Sequence, residues 1–214
     1  MTSSSSSVAV QELPLFPLPE LVLFPGQKLP LHIFEPRYRI MMNTILQSDR
    51  RFGVQLFNSV DNSISTVGCC AEVINFHRLP DDRMKISTIG QQRFRVLEYI
   101  REKPYRIGLV EWIEDEPATQ DLHPLATEVE QLLRDVVRLS AKLTDQVIEL
   151  PDDIPDLPTE LSYWVARNLY GVATEQQFLL EMQSTAERLE REAEILTSTR
   201  GHLAARTALK DAFD

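Results

Sequence analysis

Apolar and polar positions follow two different periods along the chain, and the change falls near residue 118. Before it, KISTIG and RFRVLEYI alternate in the manner of half-buried strands within a β-rich run from Arg83 to Ile100. A second such run spans Thr66 to Leu79, and Pro80-Asp81-Asp82 between the two has turn chemistry, so the pair predicts a hairpin. FGVQLF from Phe52 to Phe57 and the stretch from Tyr105 to Trp112 predict further strands. One helix interrupts them: Tyr38, Met41, Met42, Ile45 and Leu46 recur three and four apart, which predicts an amphipathic helix that plugs or covers the sheet.

After residue 118 the period is helical. Leu122, Leu125, Val129, Leu132, Val136 and Leu143 form one stripe and predict a long helix from Leu122 to about Leu143. Leu150 to Pro158, with its prolines and aspartates, predicts a loop. A further helix starting near Pro158 brings Leu161, Trp164, Val165 and Leu169 together. Thr174 with Gln177, and Ser184 with Glu187, have capping-box spacing and mark two more helix starts. Gly201 predicts a break before a short terminal helix ending at Phe213. There is no internal repeat.

The segment LPLFPLPELVLFPGQKLPLHIFEPRY, Leu13 to Tyr38, carries six prolines among short apolar runs. Proline excludes the helical region for the residue before it, so LPLFPLP and KLPLHIF are expected to be extended, with a turn at Pro25-Gly26. Lacking an N–H, Pro14, Pro17 and Pro30 are expected at strand ends, edges or bulges. Pro36 suits the first position of the helix that follows.

A composition of 43% hydrophobic and 25% charged residues is that of a folded globular chain able to bury a sizeable core. The net charge of −10 disfavours attraction to nucleic-acid phosphates or an anionic membrane. No apolar run reaches the length of a membrane span, and the N-terminus has no basic region followed by an apolar core, so a cytoplasmic protein is expected. Ser3 to Ser7 read as part of a disordered tail over residues 1–11.

Candidate chemistry is sparse. The seven glycines lie at least 15 residues apart, which excludes the phosphate-cradling loop and the dinucleotide-binding turn. Zinc-peptidase and hydrolase-elbow signatures are missing too. Cys69 and Cys70, neighbours on a strand, point to opposite faces, so one is expected buried and the other partly exposed; they make no shared metal site. The acidic pairs Asp81-Asp82 and Asp152-Asp153 read as turn residues, and His32 and His77 as packing or surface. No catalytic residue, cofactor or metal is expected.

Two long blocks carry a family resemblance. ELPLFPLPELVLFPGQKLPLHIFEPRY resembles the start of the N-terminal, substrate-binding domain of Lon proteases, in particular its stand-alone versions. VGCCAEVINFHRLPDDRMKISTIGQQRFRVLE is similar to the family's later hairpin, with Asp82 where glycine is common. The resemblance covers roughly Glu12 to Leu196 and implies an α+β fold: a mixed, PUA-like β pseudo-barrel over 12–117, then an α-helical subdomain over 118–214. It also implies polypeptide recognition without the ATPase and Ser-Lys peptidase of full-length Lon.

The expected function is therefore a non-catalytic polypeptide-binding module: an adaptor, scaffold or holdase for unfolded polypeptide or a specific client, with self-association through the helical region. Phe16, Phe24, Phe34, Tyr38, Arg37 and Arg93 are the candidate binding residues. Core placement competes for the aromatics, and an ion pair or carbonyl clamp for the arginines. The alternatives are an RNA-binding PUA-like protein, using the basic residues between Arg78 and Arg106, or an accessory factor to a separate ATP-dependent protease.

Overall fold

The alternating runs become strands and the three-and-four stripes become helices. A computed structural model describes residues 10–147, 150–151, 154–169 and 173–213. In order they form β1 (Val10–Pro19), β2 (Lys28–Ile33), α1 (Pro36–Ile45), β3 (Arg51–Asn58), β4 (Ser63–Arg78), β5 (Met84–Arg101) and β6 (Arg106–Ile113). The helices α2 (His123–Thr144), α3 (Pro158–Asn168), α4 (Ala173–Glu181) and α5 (Thr185–Phe213) follow. The serine run of the expected tail lies outside the described residues, and Val10 and Gln11 are already strand. Two compact units result: the strands with α1 and α4 form one, and Asp115–Leu169 with Met182–Asp214 the other.

The strand order is β2-β5-β4-β3-β1-β6, and β5 pairs again with β6. That second pairing closes five strands into a mixed barrel and leaves β2 outside it, paired among the described strands with β5 alone. β1 is parallel to β3 and antiparallel to β6. Contrary to the expectation for proline, β1 lies between two neighbours. The pairings show how: β6 covers Val10 to Leu15 and β3 covers Leu15 to Pro19, so Pro14 and Pro17 each sit in a half-strand with one partner. Pro30 is on β2 and meets the edge expectation directly.

Inside the barrel, Leu13, Leu15, Cys70, Phe94, Val96 and Val110 pack with Trp112 against them. Space is short there. A Cβ at Gly53 would lie 2.5 Å from Phe94 Cζ, and one at Gly68 would lie 2.7 Å from the same atom, so the ring occupies the volume of two missing side chains. Outside the barrel, α1 lays Tyr38, Met41, Met42 and Ile45 over a larger core that includes Phe16, Ile33, Phe52, Cys69 and Met84. Covering on both faces overturns the expectation of a partly exposed thiol. Cys69 and Cys70 do point to opposite faces, but each faces a core and both are buried. Burial pushes the Cys70 thiol up to about 12 and Cys69 well above its ordinary range, which disfavours the reactive thiolate.

Turns obey the residues placed in them. Gln27 N donates to Phe24 O at 3.1 Å with Gly26 at φ +73°, the geometry that Pro-Gly favours. The β4–β5 hairpin closes through Asp82 N to Leu79 O at 3.0 Å, and Asp82 takes φ +65° where glycine is common in the family pattern.

The second unit is built on the predicted stripes. Ala126, Val129, Leu132 and Leu133 of α2 bury against Leu161, Trp164 and Val165 of α3 and Leu189 and Leu196 of α5. Ser184 caps α5, its Oγ accepting from Glu187 N at 3.2 Å. Thr174 does not cap α4, which begins at Ala173; the Gln177 amide instead donates to Val67 O at 3.1 Å and pins α4 to the barrel. Nor does Gly201 break α5, which is continuous from Thr185 to Phe213. One glycine costs a helix only about 1 kcal/mol, and good helix formers such as Leu203, Ala204 and Ala205 follow it.

Glu192 of α5 is a buried polar residue that no periodicity signals. It is fully buried and neither carboxyl oxygen has a hydrogen-bond partner. Burial raises its pKa well above the carboxylate range, opposed by Arg188 one turn earlier. The fold therefore keeps a proton that the unfolded chain releases above its ordinary value of 4.5. The stability this group contributes is full below that value and declines as pH rises towards the folded-state value. Glu192→Leu is expected to stabilise the protein at pH 7 by about 1–3 kcal/mol, the cost of an unsatisfied buried polar group. Urea denaturation at pH 7 and pH 4 checks this: the gain shrinks at pH 4, and destabilisation at pH 7 contradicts it.

Candidate functional site

β2 leaves the barrel as a six-residue strand with one partner, so its outer backbone edge meets no other described strand. Its two faces differ in kind. Leu29 and Ile33 join the core under α1, together with Met84 and Ile86 of β5. Pro30 and His32 point to the opposite face, which is open. Cross-strand register there sets Pro30, Ser87 and Asn75 in one row and His32, Lys85 and His77 in the next. The result is a shallow groove of about 460 Å³ across β2, β5 and β4.

Apolar surface adjoins that groove. Phe34, one residue past β2, is 60% exposed, and its ring centroid lies 5.9 Å from that of His32. Phe76 lines the groove and is 42% exposed. Large exposed aromatics beside an unpaired strand edge provide apolar contact and main-chain hydrogen bonding together.

The six sequence candidates separate sharply. Phe16, Phe24 and Tyr38 are core residues, with the Phe16 and Tyr38 rings 4.1 Å apart between centroids. Arg93 is buried and clamps a carbonyl, donating from Nη1 to Leu180 O of α4 at 2.7 Å. Arg37 is at the surface, paired with Glu35 at 2.8 Å and stacked over the Tyr38 ring. Only Phe34 of the six stands exposed at the groove's edge. Lys85 and His77 escaped the sequence reading as a pair, because cross-strand register, not spacing along one strand, aligns them with His32. Asp152 and Asp153 lie outside the described residues. Among the described residues no group of three or more His, Cys, Asp or Glu is placed to hold a metal ion, and no helix is long and apolar enough to cross a membrane.

The model of the ATP-dependent protease La (LON) substrate-binding domain matches residues 12–198. The chain belongs to the Lon substrate-binding domain family. Lon protease of Anaeromyxobacter dehalogenans is 28% identical over 196 residues, and Lon protease 2 of Myxococcus xanthus 26% identical over 198. These alignments cover 88% and 89% of this chain but 23% and 24% of the relatives, so the chain spans about a quarter of their length. A solved Lon N-terminal domain protein from Xanthomonas campestris superposes with a TM-score of 0.62 at 26% identity, covering 85% of this chain and 96% of that one. The N-terminal domain of a Mycobacterium avium complex Lon protease gives 0.64 at 17% identity, covering 87% and 98%, and so shares the fold. The Lon-type α+β fold expected from the two sequence blocks is thus the fold observed, and the matched domain is the substrate-binding part of the protease.

Proposed function

We propose that this chain is a polypeptide-binding module, acting as an adaptor, scaffold or holdase, whose contact surface is the open edge of β2 with Phe34 and the groove beside it. The observation that carries this reading is the edge of β2, which meets no other described strand, next to the exposed Phe34, in a family described by substrate binding. An extended segment adds to such an edge through its own backbone, which requires no fixed sequence. Side-chain contact with Phe34 then supplies affinity.

The test uses the full chain and a reduced, carboxymethylated model protein as unfolded substrate. Phe34→Ala is expected to weaken binding three- to tenfold with the fold intact, as the loss of one exposed aromatic anchor implies. No association by the wild-type chain, together with no suppression of aggregation, contradicts the reading.

A further inference from the structure

Charge on the open face is distributed against the balance of the chain. The protein carries a net charge of −10 with its histidines counted neutral, yet the outward side chains of β2 and its two neighbours bring the cations Lys28 and Lys85 to one surface, with the imidazoles of His32 and His77 as further hydrogen-bonding groups. The one acidic residue in those rows, Glu72, is paired with Arg51 at 3.6 Å. His32, Lys85 and His77 occupy the same register on three adjacent strands, and among the described residues no acidic side chain lines the groove they share. Lys28 and His32 repeat at even spacing along the strand whose edge is unpaired.

We infer that this face selects extended polypeptide carrying acidic side chains at alternate positions. The inference rests on the polypeptide-binding reading and names the class of segment bound. A strand added to β2 lies about 4.8 Å from it and turns every second side chain to the same face as His32 and Lys28. Carboxylates there stand beside His32 and Lys28, within reach of the flexible Lys85 ammonium, while the intervening residues face the apolar side. Basic segments meet like charge in the same rows and are rejected.

Fluorescence anisotropy with the full chain decides it. Three fluorescein-labelled decapeptides share the same apolar residues at alternate positions and carry Glu, Gln or Lys at all the others. The expected order of affinity is Glu, Gln, Lys, with roughly tenfold or more between the extremes from two or three exposed charge pairs, diminishing as salt is added. Lys85→Glu is expected to weaken the Glu peptide about tenfold, and to weaken it more than the Gln peptide. His32→Asn, on a different strand, shifts the Glu peptide in the same direction, so a folding defect in one variant does not decide the outcome. Equal binding of the Glu and Lys peptides overturns the inference while leaving polypeptide binding intact. Tighter binding of single-stranded oligouridylate at the same face, displacing the Glu peptide, also overturns it. Failure of all three peptides and of the reduced model protein removes both readings together.

Discussion

Phe94→Ala destabilises the barrel by about 3–5 kcal/mol, the range for emptying a fully buried aromatic site. Phe94 has no exposed surface and lies at the centre of the barrel interior. Two strands have given up side chains to admit it, since Gly53 and Gly68 both face the ring. The truncation therefore opens a void that glycine backbone lines at Gly53 and Gly68, and hydrogen-bonded backbone closes over a void poorly. Urea denaturation, with hydrogen exchange resolved by segment, measures the effect: protection falls across the barrel strands. A loss below about 1 kcal/mol contradicts a packed barrel interior.

A second large effect is expected from Asp115→Ala, about 3–5 kcal/mol, because it strands a buried cation. Arg188 is fully buried, and its guanidinium is held by the Asp115 carboxylate, by Ser162 Oγ at 2.8 Å and by Met182 O at 3.0 Å, over the ring of Tyr163. Asp115 also accepts from Tyr163 Oη at 3.1 Å and from Thr185 Oγ1 at 2.6 Å. Removing the carboxylate leaves the guanidinium without its counter-charge and frees two hydroxyls. The double variant Asp115→Ala/Arg188→Met is expected to recover much of the loss, since an apolar side chain of similar length needs no partner there. A thermodynamic cycle on urea midpoints quantifies the coupling. Additive losses contradict the network.

These two sites mark where sequence reading succeeds and where it stops. RFRVLEYI alternates, so the strand bearing Phe94 was legible, as was the α1 stripe, because each face of an element is written as a local period. The turns were legible for the same reason: Pro25-Gly26 and Pro80-Asp81-Asp82 act on their own dihedral angles. Closure of the barrel had no such local signal and was expected only through the family resemblance, because the second partner of β5 is set by geometry between distant strands. That closure buries Cys70, while the core under α1 buries Cys69. Asp115 lies in the connection between β6 and α2, and nothing near it in the chain announces Arg188, 73 residues away.

The candidate surface followed the same division. Phe34 was legible as an aromatic beside a proline-bearing strand, but so were Phe16, Phe24 and Tyr38, which belong to the core. What separates them is which side of the sheet α1 covers. His32 and His77 were each visible singly and read as surface or packing; their alignment with Lys85 depends on register across three strands. A single sequence carries no local signal for that register beyond the turn that starts the hairpin.

Hydrogen exchange of the full chain, with and without excess reduced and carboxymethylated polypeptide, tests the central claim most directly. Residues Lys28 to Phe34 are expected to gain protection on binding, with β5 and β4 less affected, because the added strand pairs with the open edge of β2. Binding that leaves those amides unchanged and protects another surface contradicts the account.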